Sequence, residues 1–118
     1  MNPRGYVIVL EEDAQIHELL ERWLGEAGYT VAAPDAVDGA QPALVIADVP
    51  EPQSADTLIG SLRAMYTAPI LVLSARFRRG LAGSVDAARR LGVKKVLPKP
   101  FTRKELLAAV RESVESAA

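Results

Sequence analysis

Short apolar runs alternate with helical stripes along this chain, and that alternation limits the fold more than any other feature. Tyr6 to Leu10 is a continuous apolar run with two valines and an isoleucine, the length of a strand buried on both faces. The period then changes: Ile16, Leu19, Leu20, Trp23, Leu24 and Ala27 form one apolar stripe of a helix. Asp13 is placed to cap that helix and Gly28 to stop it. Further strands are expected at Thr30 to Ala33, at Ala43 to Ala47 ending on Asp48, at Ile70 to Leu73 and at Val93 to Leu97. Between them, Ser54 can cap a helix through about Met65, with Leu58, Ile59, Leu62 and Met65 inward. Ser84 to Leu91 reads as a short helix closed by Gly92. Thr102 and Glu105 form a capping box at the start of the last helix. Phe101 and Leu106 are its expected staple, and Leu106, Leu107, Val110 and Val114 its buried face.

Strand–helix alternation favours a parallel sheet covered by helices, and right-handed crossovers bring every strand C-terminus to one edge. Such an edge is where open α/β sheets bind ligands. It receives Glu11 and Glu12 from the first strand, Asp48 from the third, Ser74 from the fourth and Lys99 from the fifth. Crowded carboxylates repel one another, and a hard divalent cation such as Mg²⁺ relieves that repulsion. A carboxylate beside Mg²⁺ and a lysine can attack phosphorus, with both cations neutralising the transferring group. The Ser74 hydroxyl could then hydrogen-bond a phosphoryl oxygen.

Composition narrows the alternatives. A chain of 118 residues suits one domain spanning 1–118. A net charge of −1 gives no bulk reason to expect direct nucleic-acid binding, and zero cysteines exclude disulfides and thiolate metal sites. No apolar run is long enough for a membrane helix and no signal-peptide pattern stands at the start, which fits a cytoplasmic location. A dinucleotide-binding fold would need G-x-G-x-x-G after the first strand. Glu11, Glu12 and Asp13 stand there instead and would repel a pyrophosphate or a flavin mononucleotide. A haloacid-dehalogenase-type phosphatase would need an aspartate where Pro50 stands.

The chain resembles the receiver domains of bacterial two-component response regulators, the CheY-like superfamily, over nearly its whole length. The motifs are Val9-Leu10-Glu11-Glu12-Asp13, Leu44-Val45-Ile46-Ala47-Asp48-Val49-Pro50-Glu51-Pro52, Ser74-Ala75 and Lys99-Pro100-Phe101, in the family's order. The resemblance implies a flavodoxin-like, doubly wound, five-stranded parallel sheet of order 2-1-3-4-5 and a cis Lys99-Pro100 bond. It implies a signalling domain rather than an enzyme, with Asp48 accepting a phosphoryl group, Lys99 pairing with it and Ser74 sensing it. Mg²⁺ would be held by Glu11, Glu12, Asp48 and the backbone carbonyl of Pro50. The implied partners are a histidine kinase or phosphotransfer protein and a downstream protein or output domain.

Four departures from the family pattern bear on function. The acidic pair is Glu-Glu, where the family normally has Asp-Asp or Asp-Glu; one methylene moves each carboxylate by more than about an ångström. Pro34 to Pro42 is short for a parallel crossover, so the second helix is expected to be shortened or absent. A partner or a second copy, making a homodimer, could cover the sheet face left thin. Val96 stands where the family often has an aromatic switch residue, and the loop after Ser74 carries Arg76, Arg78 and Arg79 around Phe77. The Glu-Glu pair, the short second crossover and Val96 favour an alternative: a pseudo-receiver that binds partners or dimerises without phosphorylation. His17 falls on the polar face of the first helix and is expected in solvent, whereas Trp23 belongs to the core stripe.

Overall fold

The computed structural model describes residues 6–32, 42–49, 55–74 and 88–115. Five parallel strands, β1 (Tyr6–Leu10), β2 (Thr30–Ala32), β3 (Leu44–Asp48), β4 (Ile70–Ser74) and β5 (Lys95–Pro98), pair in the order β2-β1-β3-β4-β5. Among the described residues, three helices accompany them: α1 (Ala14–Glu26), α2 (Ala55–Met65) and α3 (Arg103–Glu115). A helical stretch at 88–91 ends at Gly92, which takes φ +74°.

The continuous apolar strands divide residue by residue between two cores, because successive side chains of a strand point to opposite faces. Val7, Val9, Leu44, Ile46, Leu71, Leu73 and Leu97 pack on one face with Leu20 and Leu24 of α1 and Leu106, Ala109 and Val110 of α3. Ile8, Val45, Ala47, Ile70, Val72 and Val96 pack on the other with Ile59 and Leu62 of α2 and with Ala88. Burial on both faces is why these runs carry no polar alternation.

Local signals set the helix ends. The Asp13 carboxylate accepts the N–H groups of Gln15 and Ile16 at 2.9 and 3.2 Å, capping α1. Gly28 at φ +96° ends it, and the Tyr29 N–H reaches back to the Leu24 carbonyl at 3.0 Å. At α3 the capping box closes in both directions. The Glu105 carboxylate accepts the Thr102 N–H at 2.8 Å, and the Thr102 hydroxyl oxygen accepts the Glu105 N–H at 3.0 Å.

Two residues expected inside are exposed. Met65 faces solvent because the inward stripe of α2 continues from Leu62 to Tyr66, one turn on, rather than to Met65. Leu19, in the same stripe of α1, is 38% exposed and lines an open recess rather than the core. His17, expected in solvent, is half-buried, with Nδ1 3.9 Å from Glu21. The expected short second crossover falls almost wholly outside the described residues. So do the Ser54 cap, the start of the helix from Ser84, Pro50, Pro52, Ala75 and the loop of Arg76, Phe77, Arg78 and Arg79.

Candidate phosphoacceptor site

Strand register brings the expected residues to one edge. Leu10 pairs with Ala47, so Glu11 and Asp48 follow side by side at the ends of β1 and β3. Asp48 pairs with Leu73, which places Ser74 one step further along β4. Ser74 pairs with Pro98, and its carbonyl accepts the Lys99 N–H at 2.9 Å. The bond between Lys99 and Pro100 is cis, as the resemblance implies.

The side chains form a three-member ion cluster. Lys99 Nζ lies 2.8 Å from Glu11 Oε1 and 2.8 Å from Asp48 Oδ1. The Glu11 side chain is only 2% exposed, Asp48 14% and Lys99 15%. Burial opposes the charge on Lys99. The hydrogen bonds to Asp48 and Glu11, with their negative charges, outweigh it and raise the lysine above its ordinary 10.5. The second Glu11 oxygen accepts the Asp13 N–H at 3.2 Å, so the residue that caps α1 also helps to fix Glu11.

The cluster separates the two glutamates, which sequence reasoning treated as a pair. Glu11 turns inward and both of its oxygens are engaged. Glu12 is exposed. The extra methylene of Glu11 lets its carboxylate reach across to Lys99, a contact between residues 88 positions apart. Among the described residues, no three His, Asp or Glu side chains converge as a metal-binding set. Among the described residues, the Glu12 carboxylate and the second oxygen of Asp48 have no protein partner. Two hard carboxylates with room for water match in kind what Mg²⁺ takes from proteins. Ser74 is fully buried at the end of β4, and Val96 is buried in the α2-side core.

An apolar recess of about 380 Å³ adjoins Lys99, lined by Ile16, Leu19, Trp23, Pro100 and Phe101. Trp23 and Phe101 meet edge to face with ring centroids 6.4 Å apart. Sequence reasoning assigned Trp23 to the core alone. The exposed Leu19 one turn earlier marks the recess, but its exposure is not legible from spacing.

The sheet order and flanking helices are those of the CheY-like receiver fold. The chain is 34% identical over 118 residues to the transcriptional regulatory protein KdpE of Mycobacterium tuberculosis (strain ATCC 25618 / H37Rv), covering 92% of this chain and 50% of that protein. It therefore spans about half the length of this curated relative. No protein-family model matches. A Francisella response regulator receiver domain superposes with TM-score 0.75 at 19% identity, over 97% of this chain and 99% of that one. The receiver domain of sensor histidine kinase PA1611 from Pseudomonas aeruginosa PAO1 gives TM-score 0.71 at 20% identity, covering 94% and 98%. It holds a magnesium ion in its active-site cleft. With relatives that are response regulators and neighbours that are receivers, this chain fits the response-regulator receiver class. No helix among the described residues is long and apolar enough to cross a membrane.

Proposed function

We propose that the chain is a phosphorylatable receiver whose acceptor is Asp48, in a cytoplasmic two-component pathway. The observation that carries this reading is the 2.8 Å contact of Lys99 with Asp48 Oδ1 at the C-terminal edge of the sheet. A carboxylate oxygen of Asp48 attacks the phosphorus of a phosphohistidine on a histidine kinase or phosphotransfer protein. An O–P bond forms, the N–P bond breaks, and the imidazole leaves with its electron pair and takes up a proton. Lys99, held charged by Glu11, stays beside the acceptor and faces the incoming phosphoryl oxygens. Ser74 supports the reading by its place one residue beyond Asp48's partner on the neighbouring strand.

Glu12 and Asp48 would hold Mg²⁺, with the Pro50 carbonyl as the further donor implied by the family resemblance. Glu11 joins them only if it gives up Lys99. The ion would supply charge neutralisation on the phosphoryl oxygens. The PA1611 receiver domain, which carries magnesium in its cleft, supports this assignment by likeness of fold.

Incubation with acetyl phosphate and Mg²⁺ tests the reading. The expected result is a mass gain of one phosphoryl group, absent in Asp48→Asn. No gain under conditions that label an ordinary receiver would sink it. The alternative is a pseudo-receiver acting through partner or self-association. What favours it is the engagement of Glu11 by Lys99, which balances the charge of the edge without a metal. A Mg²⁺ titration read by Trp23 fluorescence separates the two: saturation weakened by Glu12→Gln supports the receiver, and a flat titration supports the pseudo-receiver.

A further inference from the structure

The partners of the Glu11–Lys99 ion pair are each tied to a different wall of the apolar recess. Lys99 is followed directly by Pro100 and Phe101, and all three line the recess. The facing wall is α1, through Ile16, Leu19 and Trp23. Glu11 reaches that wall in two steps. Its second oxygen accepts the Asp13 N–H at 3.2 Å, and the Asp13 carboxylate accepts the Gln15 and Ile16 N–H groups that begin the helix.

Two ion pairs therefore join the walls, one at each end of α1. At the end of the helix Glu26 meets Arg103, two residues past Phe101, at 3.2 Å. Both of those side chains are about half exposed, so water weakens their attraction. At the start of the helix Glu11 is 2% exposed and its contact with Lys99 is 2.8 Å. The enclosed pair is the firmer of the two.

It is also the pair that the acceptor can disturb. Lys99 lies just as close to Asp48, at 2.8 Å. A phosphoryl group on Asp48 would carry about two negative charges where the carboxylate carries one, beside the same cation. Lys99 has a single positive charge to divide, so the balance between Glu11 and Asp48 tips toward Asp48. Glu11 is then an enclosed carboxylate short of its cation, which is costly. Turning toward solvent relieves that cost and takes Glu11 away from the Asp13 N–H, at the first turn of α1.

We propose that the Glu11–Lys99 ion pair is a clasp between the two walls of the recess, and that its release lets α1 move against the Pro100–Phe101 segment. Phosphorylation of Asp48 is the trigger, a part that rests on the receiver reading above; the clasp itself does not. Trp23, the only tryptophan, stands on one wall and meets Phe101 of the other edge to face, so it reports their relative position.

Amide and indole NMR tests both parts. In the presence of a metal chelator, Glu11→Ala cuts the clasp from the α1 side. Lys99→Met cuts it from the other and keeps an apolar stem in the recess wall. Both should move the signals of Leu19, Trp23 and Phe101 in the same direction, so that wild type and variants fall on one line for each signal. Glu11→Gln, which keeps a weaker acceptor, should fall part of the way and supplies a further point if Lys99→Met does not fold. Glu112→Gln, which cuts the surface pair with Lys95, should leave these signals in place. Wild type given acetyl phosphate and Mg²⁺ should move along the same lines, relative to Mg²⁺ alone, in proportion to its phosphoryl mass gain. The clasp is overturned if each variant moves only the signals beside its own substitution, or if the variants move the recess signals in different directions. The trigger is overturned if protein that has gained a phosphoryl group keeps the wild-type recess signals. No mass gain at all removes the trigger together with the receiver reading, and the variants still decide the clasp.

Discussion

Lys95 and Lys99 flank the same strand, and each meets carboxylate at nearly the same distance. Lys95 Nζ lies 2.9 Å from Glu112 at the start of β5, and Lys99 Nζ lies 2.8 Å from both Glu11 and Asp48 beyond its end. Distance alone would rank the two ends as equals. Burial separates them: Lys95 and Glu112 are 38% and 52% exposed, whereas Glu11 is almost wholly enclosed. Water screens the first pair and must be stripped from the second. A buried cluster stabilises little against an apolar replacement, but it is expensive to break on one side. The C-terminal edge is thus where a single charge change has large consequences, and the proposed phosphorylation of Asp48 would be such a change.

The largest expected effect follows from removing the shared cation. Lys99→Ala leaves Glu11 and Asp48 facing each other without compensation and should destabilise the fold by about 3 kcal/mol, read by urea denaturation. A loss below about 1 kcal/mol would erase the distinction between the two ends. The same cluster predicts a pH dependence. Because the Lys99 pKa is raised in the fold, its contribution is complete below the ordinary lysine value of 10.5. It is lost as pH climbs through the higher folded value. Wild type should therefore lose stability in that alkaline window more steeply than Lys99→Met.

Glu11→Gln should have a smaller effect, about 1–2 kcal/mol, since Lys99 keeps Asp48 and the amide oxygen can still accept a hydrogen bond. It also breaks apart the two roles open to Glu11. If Glu11 serves Lys99, the variant should hold Mg²⁺ at least as well as wild type, because Glu12 and Asp48 are untouched. If Glu11 is a metal ligand, Mg²⁺ affinity should fall as far as in Glu12→Gln.

How much of this was legible in the sequence depends on the range of the physics involved. The strands were legible because runs such as Val7-Ile8-Val9 must be buried on both faces, and the structure divides them between two cores. The Thr102–Glu105 box was legible because all its partners lie within one turn. Strand order came from the family resemblance and not from periodicity, which says nothing of neighbours. Leu19 and Met65 were misplaced because apolar spacing allows either neighbour on a stripe to face inward, and only packing chose Tyr66 over Met65 and left Leu19 on an open recess. The Glu11–Lys99 contact was illegible for another reason. Adjacent glutamates look alike in sequence, and only the sheet order, which sets β5 three strands from β1, shows which one reaches Lys99.

The capping box supplies an effect of middle size. Thr102→Ala removes the acceptor for the Glu105 N–H and should cost about 1 kcal/mol. The loss should be the same at low and high salt, because the bond is local and no free charge is removed.

The smallest expected effect gives the sharpest comparison. A double-mutant cycle on Lys95 and Glu112 should return a coupling of no more than about 0.5 kcal/mol at low salt. Raising ionic strength should shrink it, since both side chains are open to ions that screen them. The parallel cycle on Lys99 and Glu11 should return several times as much and change little with salt, because water and ions have scant access to a carboxylate 2% exposed. Equal couplings at the two ends, or equal salt dependence, would mean that the cluster relaxes into water as freely as the surface pair. Lys99 would then not be pre-positioned beside Asp48, and the proposed receiver reading would lose its main structural support.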